Sequence, residues 1–142
     1  MNVARMSPPE DLDDRVAQAI PHRAPFRLVD RLVSAGPEGA IARRAITRDD
    51  PLVGDTLPRV LLVEAMAQTA ALLAGGELGA HRGYLVALRA VTFEDFARVG
   101  DIVELHARHA GRLGALRRIA AEARVDGRTI ARGELTVALE AG

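Results

Sequence analysis

Residues 60–74 read VLLVEAMAQTAALLA, and no other stretch limits the fold of this chain as tightly. The run is apolar on every side of a helix, and Gly75-Gly76 follows, the punctuation expected after a helix C-terminus. A helix that is apolar all round has to be covered. It is also too short to cross a bilayer, which takes about 20 residues. The enclosure must therefore come from the rest of the 142 residues. We place a central helix over 58–75, inside a single domain spanning 1–142.

The flanking sequence reads as that enclosure. Residues 28–34 and 39–47 are expected strands, joined by a turn at Gly36-Pro37-Glu38-Gly39, and 49–58 is a loop rich in turn formers. Beyond the helix, 84–93, 102–109, 116–125 and 130–139 read as four more strands. In the last, Ala131, Gly133, Leu135, Val137 and Leu139 alternate with Arg132, Glu134 and Thr136, giving one covered face and one wet face. Asp126-Gly127 is a tight-hairpin signal, and Gly111 to Gly114 a looser one. At the start, Ser7-Pro8-Pro9-Glu10 reads as a capping box, which makes 1–19 an N-terminal helix or extension. This order lacks the strand–helix alternation of a parallel sheet. It indicates an α+β fold, with an antiparallel sheet wrapped around a buried helix. Such a sheet leaves edges to protect, so a dimer with a continuous sheet is expected.

Lys+Arg and Asp+Glu are equal at 19 each and aromatics are only 3%, which argues against nucleic acid and anionic membranes as partners. The absence of cysteine removes disulfides, thiolate metal sites and a Cys nucleophile together. No H-E-x-x-H, phosphate-cradling glycine loop or G-x-S-x-G occurs, so no metal or cofactor is expected. The acidic start without an apolar leader, and the lack of a membrane span, make the cytoplasm the expected location.

The polar residues of the central run are Glu64, Gln68 and Thr69. Glu64 and Gln68 are four apart and share a face. A carboxylate carried into a core needs a partner or a proton, and desolvation tunes it toward proton transfer near neutral pH. The structural alternative is that Glu64 reaches an arginine across a dimer seam while Gln68 satisfies a backbone group. His22 lies in a loop entering the first strand. His81, His106 and His109 read as surface or turn histidines, the last two on opposite faces of one strand.

Several motifs, in order, resemble the hotdog-fold (3R)-hydroxyacyl-acyl-carrier-protein dehydratases. Residues 20–31, IPHRAPFRLVDR, resemble that family's opening I-P-H-R-x-P-F-x-L-V-D-R, and Val63-Glu64-Ala65-Met66-Ala67-Gln68 resembles the V-E-A-M-A-Q of its central helix. Phe93 through Val99-Gly100-Asp101 resembles the family's strand entry without its proline. Val125-Asp126-Gly127 and Glu134-Leu135-Thr136 resemble its closing hairpin. The resemblance implies a hotdog dimer that takes an acyl chain on a phosphopantetheine arm, delivered by acyl-carrier protein or coenzyme A. Glu64 matches the family's catalytic acid. The family's catalytic histidine has no match: the corresponding loop is short, and no His occurs between Arg48 and Glu64. Arg59 stands where the family has a glycine.

Three readings stand at this point. The chain is a dehydratase-like lyase of fatty-acid or polyketide-type biosynthesis, with His22 or Asp55 assisting Glu64, and with Pro58, Arg59, Val60 and Gln68 meeting the substrate. Alternatively it binds acyl thioesters without turnover, as one half of a heterodimer with another hotdog subunit. In the third reading it is a thioesterase using Glu64. Similar short-loop proteins are associated with polyketide and aryl-polyene pathways, often alongside a second hotdog subunit.

Overall fold

A computed structural model describes residues 27–77 and 82–140. The capping box, the 1–19 extension, His22 and His81 lie outside the described residues. Strands β1 (Arg31–Ala35) and β2 (Gly39–Ala45) precede the helix α1 (Arg59–Glu77). Strands β3 (Arg82–Phe93), β4 (Ile102–Leu113), β5 (Leu116–Val125) and β6 (Arg128–Glu140) follow it. They form one antiparallel sheet in the order β1-β2-β4-β5-β6-β3, with β1 and β3 at its edges. α1 packs across the inner face against β2 through β6. This is the α+β hotdog arrangement expected from the sequence.

Alternation along the strands builds the core. Val103, Leu105 and Ala107 of β4, Ile119, Ala121 and Ala123 of β5, and Leu135 and Val137 of β6 are buried beneath the helix. Leu62, Ala65, Met66, Ala70, Leu72 and Leu73 of α1 meet them. Asp126 and Gly127 both take the left-handed conformation, at φ 52° and 77°, and close a two-residue hairpin between Val125 and Arg128.

Three local expectations are corrected. The helix continues through Gly75-Gly76 to Glu77. Glycine costs only about 1 kcal/mol in a helix interior, which cooperative packing of the preceding turns overcomes. β4 runs past His109 to Leu113, absorbing a bulge at Ala110, so the turn is Gly114-Ala115 and Gly111 lies within the strand. The helix is enclosed on every side from Ala65 to Ala70, where each residue is buried, but not over its first turn. Val60 is 72% exposed, and Leu61, Val63, Glu64 and Ala71 are half-buried.

Candidate active site

A stripe at i, i+4 spacing runs along α1 through Val60, Glu64 and Gln68. Exposure falls along it, from 72% at Val60, through half-buried Glu64, to 2% at Gln68. It therefore leads from a solvent-exposed helix N-terminus into the core. At the deep end the Leu28 N–H donates to Gln68 Oε1 at 2.8 Å, and Gln68 Nε2 donates to Glu64 Oε1 at 3.4 Å. One amide thus satisfies a buried backbone donor and turns its NH₂ group on the carboxylate. Thr69 instead donates to the Ala65 carbonyl at 2.9 Å, so its hydroxyl is satisfied within the helix.

The segment that lends Leu28 is itself clasped. Arg44 occupies an inward position of β2, after Ala40 and Ala42, and is 8% exposed. Its guanidinium pairs with Asp50 and, at 3.2 Å, with Asp30, and donates to the Arg27 carbonyl at 3.3 Å. Asp30 also accepts the Ala45 N–H at 2.8 Å, and Asp50 that of Leu52 at 2.9 Å. A buried cation with two hydrogen-bonded acids fastens both the entry to β1 and the loop after β2. The far part of that loop is pinned by Leu57 N–H to the Ala97 carbonyl at 2.8 Å and Val99 N–H to the Asp55 carbonyl at 3.2 Å. The Asp55 side chain is 96% exposed and lies 4.0 Å from Arg48, itself 76% exposed. Such a pair contributes little. The backbone of Asp55 is fixed, but its carboxylate faces solvent and does not join the Glu64 stripe.

Pro58, exposed, opens the helix, and its carbonyl accepts the first helical bonds from Leu61 at 2.9 Å and Leu62 at 3.2 Å. The Arg59 and Val60 amides precede those bonds, at the positive end of the helix dipole. The Arg59 guanidinium lies 3.9 Å from the Phe96 ring centroid and 5.3 Å from that of Phe93. Asp95 holds the turn carrying Phe96 by accepting from Arg98 at 3.0 Å, the Phe96 N–H at 2.7 Å and Arg128 at 2.7 Å. These donors, Arg98 foremost, hold its carboxyl well below the usual carboxylate range.

The structure thus brings together Val60, Glu64 and Gln68, with Pro58 and Arg59 at the helix N-terminus. Sequence reasoning missed Leu28, the Asp30–Arg44–Asp50 clasp and the two phenylalanines under Arg59. One signal was available, since Arg44 is a charge at an inward-facing position between Ala42 and Ile46. A groove of about 560 Å³ crosses the outer face of the sheet, walled by His106, Glu122, Arg124, Arg132 and Glu134. There Arg124 and Glu122 pair at 3.0 Å and His106 meets Glu104 at 2.9 Å, as on a solvated sheet face. Among the described residues no helix is long and apolar enough to cross a membrane.

Comparison with known proteins agrees with this geometry. Residues 14–140 match the ApeP-like family, described as ApeP dehydratase. The chain is 34% identical to the 3-hydroxyacyl-[acyl-carrier-protein] dehydratase FabZ of Anaeromyxobacter sp. strain Fw109-5, over 98% of this chain and 96% of that one. It is 34% identical to the FabZ of Streptococcus equi subsp. zooepidemicus, over 87% and 94%. Among solved structures, a chain of the dehydratase heterocomplex ApeI:P from Xenorhabdus doucetiae superposes with a TM-score of 0.78 at 19% identity, covering 89% of this chain and 91% of that one. Zebrafish thioesterase superfamily member 2 gives 0.72 at 18%, covering 89% and 93%. At these identities the structural matches show the shared fold.

Proposed function

This chain belongs to the hotdog-fold 3-hydroxyacyl-[acyl-carrier-protein] dehydratase family, and on that footing we propose that it removes water from 3-hydroxyacyl thioesters in fatty-acid or polyketide-type biosynthesis. The observation that carries the reading is the oriented carboxylate: Glu64 on the Val60–Gln68 stripe, held by an amide that is itself anchored to the Leu28 backbone. Dehydration breaks a C2–H bond and the C3–O bond, forms a C2=C3 double bond, and returns the proton with the hydroxyl as water. Glu64 exchanges the proton. The Arg59 and Val60 amides, at the positive end of α1, polarise the thioester carbonyl and stabilise negative charge developing on it. Gln68 acts as a positioning residue, since both of its ends are engaged within the chain. His22 is the first candidate for the second proton-transfer group. Asp55 is the weaker one because it faces solvent.

The site is completed by a second hotdog subunit. Edge strand β3 exposes Tyr84, Leu85, Val86 and Leu88 at 41–54%. Leu85 and Leu88 stand opposite Val137 and Leu135, on the helix side of the sheet. An apolar edge on the helix side of the sheet, with no neighbouring strand among the described residues, suits pairing with a partner's edge strand. The whole chain acts as one such domain in the cytoplasm, with acyl-carrier protein or coenzyme A delivering the acyl group.

A second reading rests on two observations: no histidine lies between Arg48 and Glu64, and one neighbour of this fold is part of a heterocomplex. In that reading the chain holds the acyl thioester and the partner supplies the chemistry. Purified chain, alone and with its partner subunit, is incubated with a 3-hydroxybutyryl thioester, and water loss is followed by mass. Turnover by the chain alone that disappears in Glu64→Gln supports the lyase. Turnover that needs the partner and survives Glu64→Gln supports the second reading. Release of free thiol instead identifies a thioesterase.

A further inference from the structure

Arg59 is placed against the interest of its own helix. A cation in the first helical turn faces the positive end of the dipole. It forms no ion pair with any described carboxylate, and the nearby Asp95 is already engaged by Arg98 and Arg128. Its Nε is buried without a hydrogen-bond partner. What holds it is stacking, at 3.9 Å on Phe96 and 5.3 Å on Phe93, which uses two of the chain's three phenylalanines. The choice of partner matters chemically. A carboxylate would occupy the in-plane N–H fork of the guanidinium, whereas an aromatic ring occupies only its face. Stacking therefore fixes the group in place and leaves its donors for an oxyanion.

The location fits an anion that arrives with the substrate. Exposed Pro58 and Val60 flank Arg59 at the exposed end of the stripe. Glu64 lies five residues further along the helix, about 7.5 Å deeper at 1.5 Å per residue. Helical side chains lean toward the N-terminus, so the guanidinium leans outward, away from Glu64. We infer that Arg59 is a specificity residue that binds the phosphate ester of the pantetheine arm. The thioester carbonyl lies at the first-turn amides with its acyl chain running deeper along Glu64, and the phosphate lies further out, where the outward-leaning guanidinium reaches it. This inference rests on the thioester reading above. The phosphate is common to coenzyme A and to a carrier-protein arm, so the residue reads the arm and not the carrier.

The test compares two probes on the full-length chain by calorimetry: 3-hydroxybutyryl-pantetheine and 3-hydroxybutyryl-4′-phosphopantetheine. Wild type binds the phosphorylated probe about tenfold more tightly, as expected for one charge-assisted bidentate contact near the surface. Arg59→Ala, which keeps the backbone amide, abolishes that preference. Arg59→Lys retains part of the preference as a point charge. Raised ionic strength narrows the preference in wild type but not in Arg59→Ala. The coenzyme A and carrier-protein thioesters lose affinity by the same factor in Arg59→Ala, whereas a loss confined to the carrier protein would mean that Arg59 contacts the protein surface, and would overturn the inference. An equal loss for both small probes would overturn it too, by showing a merely structural stack. Equal binding of both probes by wild type would overturn this inference alone. Failure of wild type to bind either probe would overturn the thioester reading with it.

Discussion

Replacing Gln68 with Leu tests the link between fold and site, because this one side chain serves both. Gln68 is 2% exposed, accepts the Leu28 N–H at 2.8 Å, and directs its amide to Glu64. Leucine is similar in size, so the change creates little cavity. What it removes is the acceptor for a buried backbone donor, and such an orphan costs about 1–3 kcal/mol. For a chain of this length that corresponds to a fall in Tm of about 2–12 °C. Gln68→Glu is the control: its carboxylate still accepts from Leu28, but it sets a second acid one turn from Glu64. It should therefore keep most of the stability and still lose activity. Thermal unfolding, hydrogen exchange at the Leu28 amide and turnover are measured on both variants. Gln68→Leu should speed exchange at Leu28 and reduce kcat more than KM. If Gln68→Leu left Tm within about 1 °C, the hydrogen bond would not bear on stability as argued. If Gln68→Glu kept full activity, Gln68 would not orient Glu64.

Three further outcomes follow from the same geometry. Arg44→Met leaves Asp30 and Asp50 without their shared cation, and should cost about 3–5 kcal/mol in denaturant unfolding; a loss below about 1 kcal/mol would make the clasp incidental. Glu122 is held at about 2, against its ordinary 4.5, first by its hydrogen bond to Arg124 and then by that to Thr129. A lowered native pKa stabilises fully above the unfolded value and is lost as pH falls through the native one. Glu122→Gln should therefore flatten the acid limb of the stability curve between 4.5 and about 2, and an unchanged limb would contradict this assignment. Leu88→Arg puts a charge on the exposed edge of β3 and should halve the mass seen by light scattering, whereas an unaltered assembly would move the interface elsewhere.

The parts legible in the sequence were those governed by local rules. An all-round apolar run is compatible with one environment, and strict alternation in 130–139 with one kind of strand. Asp126-Gly127 matches a turn that demands two left-handed residues. The parts that were not legible depend on partners distant in the chain. Gly75 and Gly76 stay helical because the turns before them are packed, which no local propensity records. The bulge at Ala110, which extends β4, is a matter of pairing with β5. Arg44 was visible as an inward-facing charge, yet its acids lie 14 residues before and 6 after it, and only the fold unites them. Glu64 and Gln68 were readable as a pair from helical spacing. That Gln68 is anchored by Leu28, 40 residues away, was not.

Proton exchange at C2 of a bound acyl thioester probes the role of Glu64 more closely than net turnover, because it isolates the step assigned to that carboxylate. The protein, with its partner subunit present, is incubated in heavy water with a 3-hydroxybutyryl thioester, and deuterium at C2 is followed by NMR. The role given to Glu64 requires enzyme-dependent incorporation at C2 by wild type and none by Glu64→Gln, although the variant still binds the thioester. Incorporation at the wild-type rate by Glu64→Gln would contradict it.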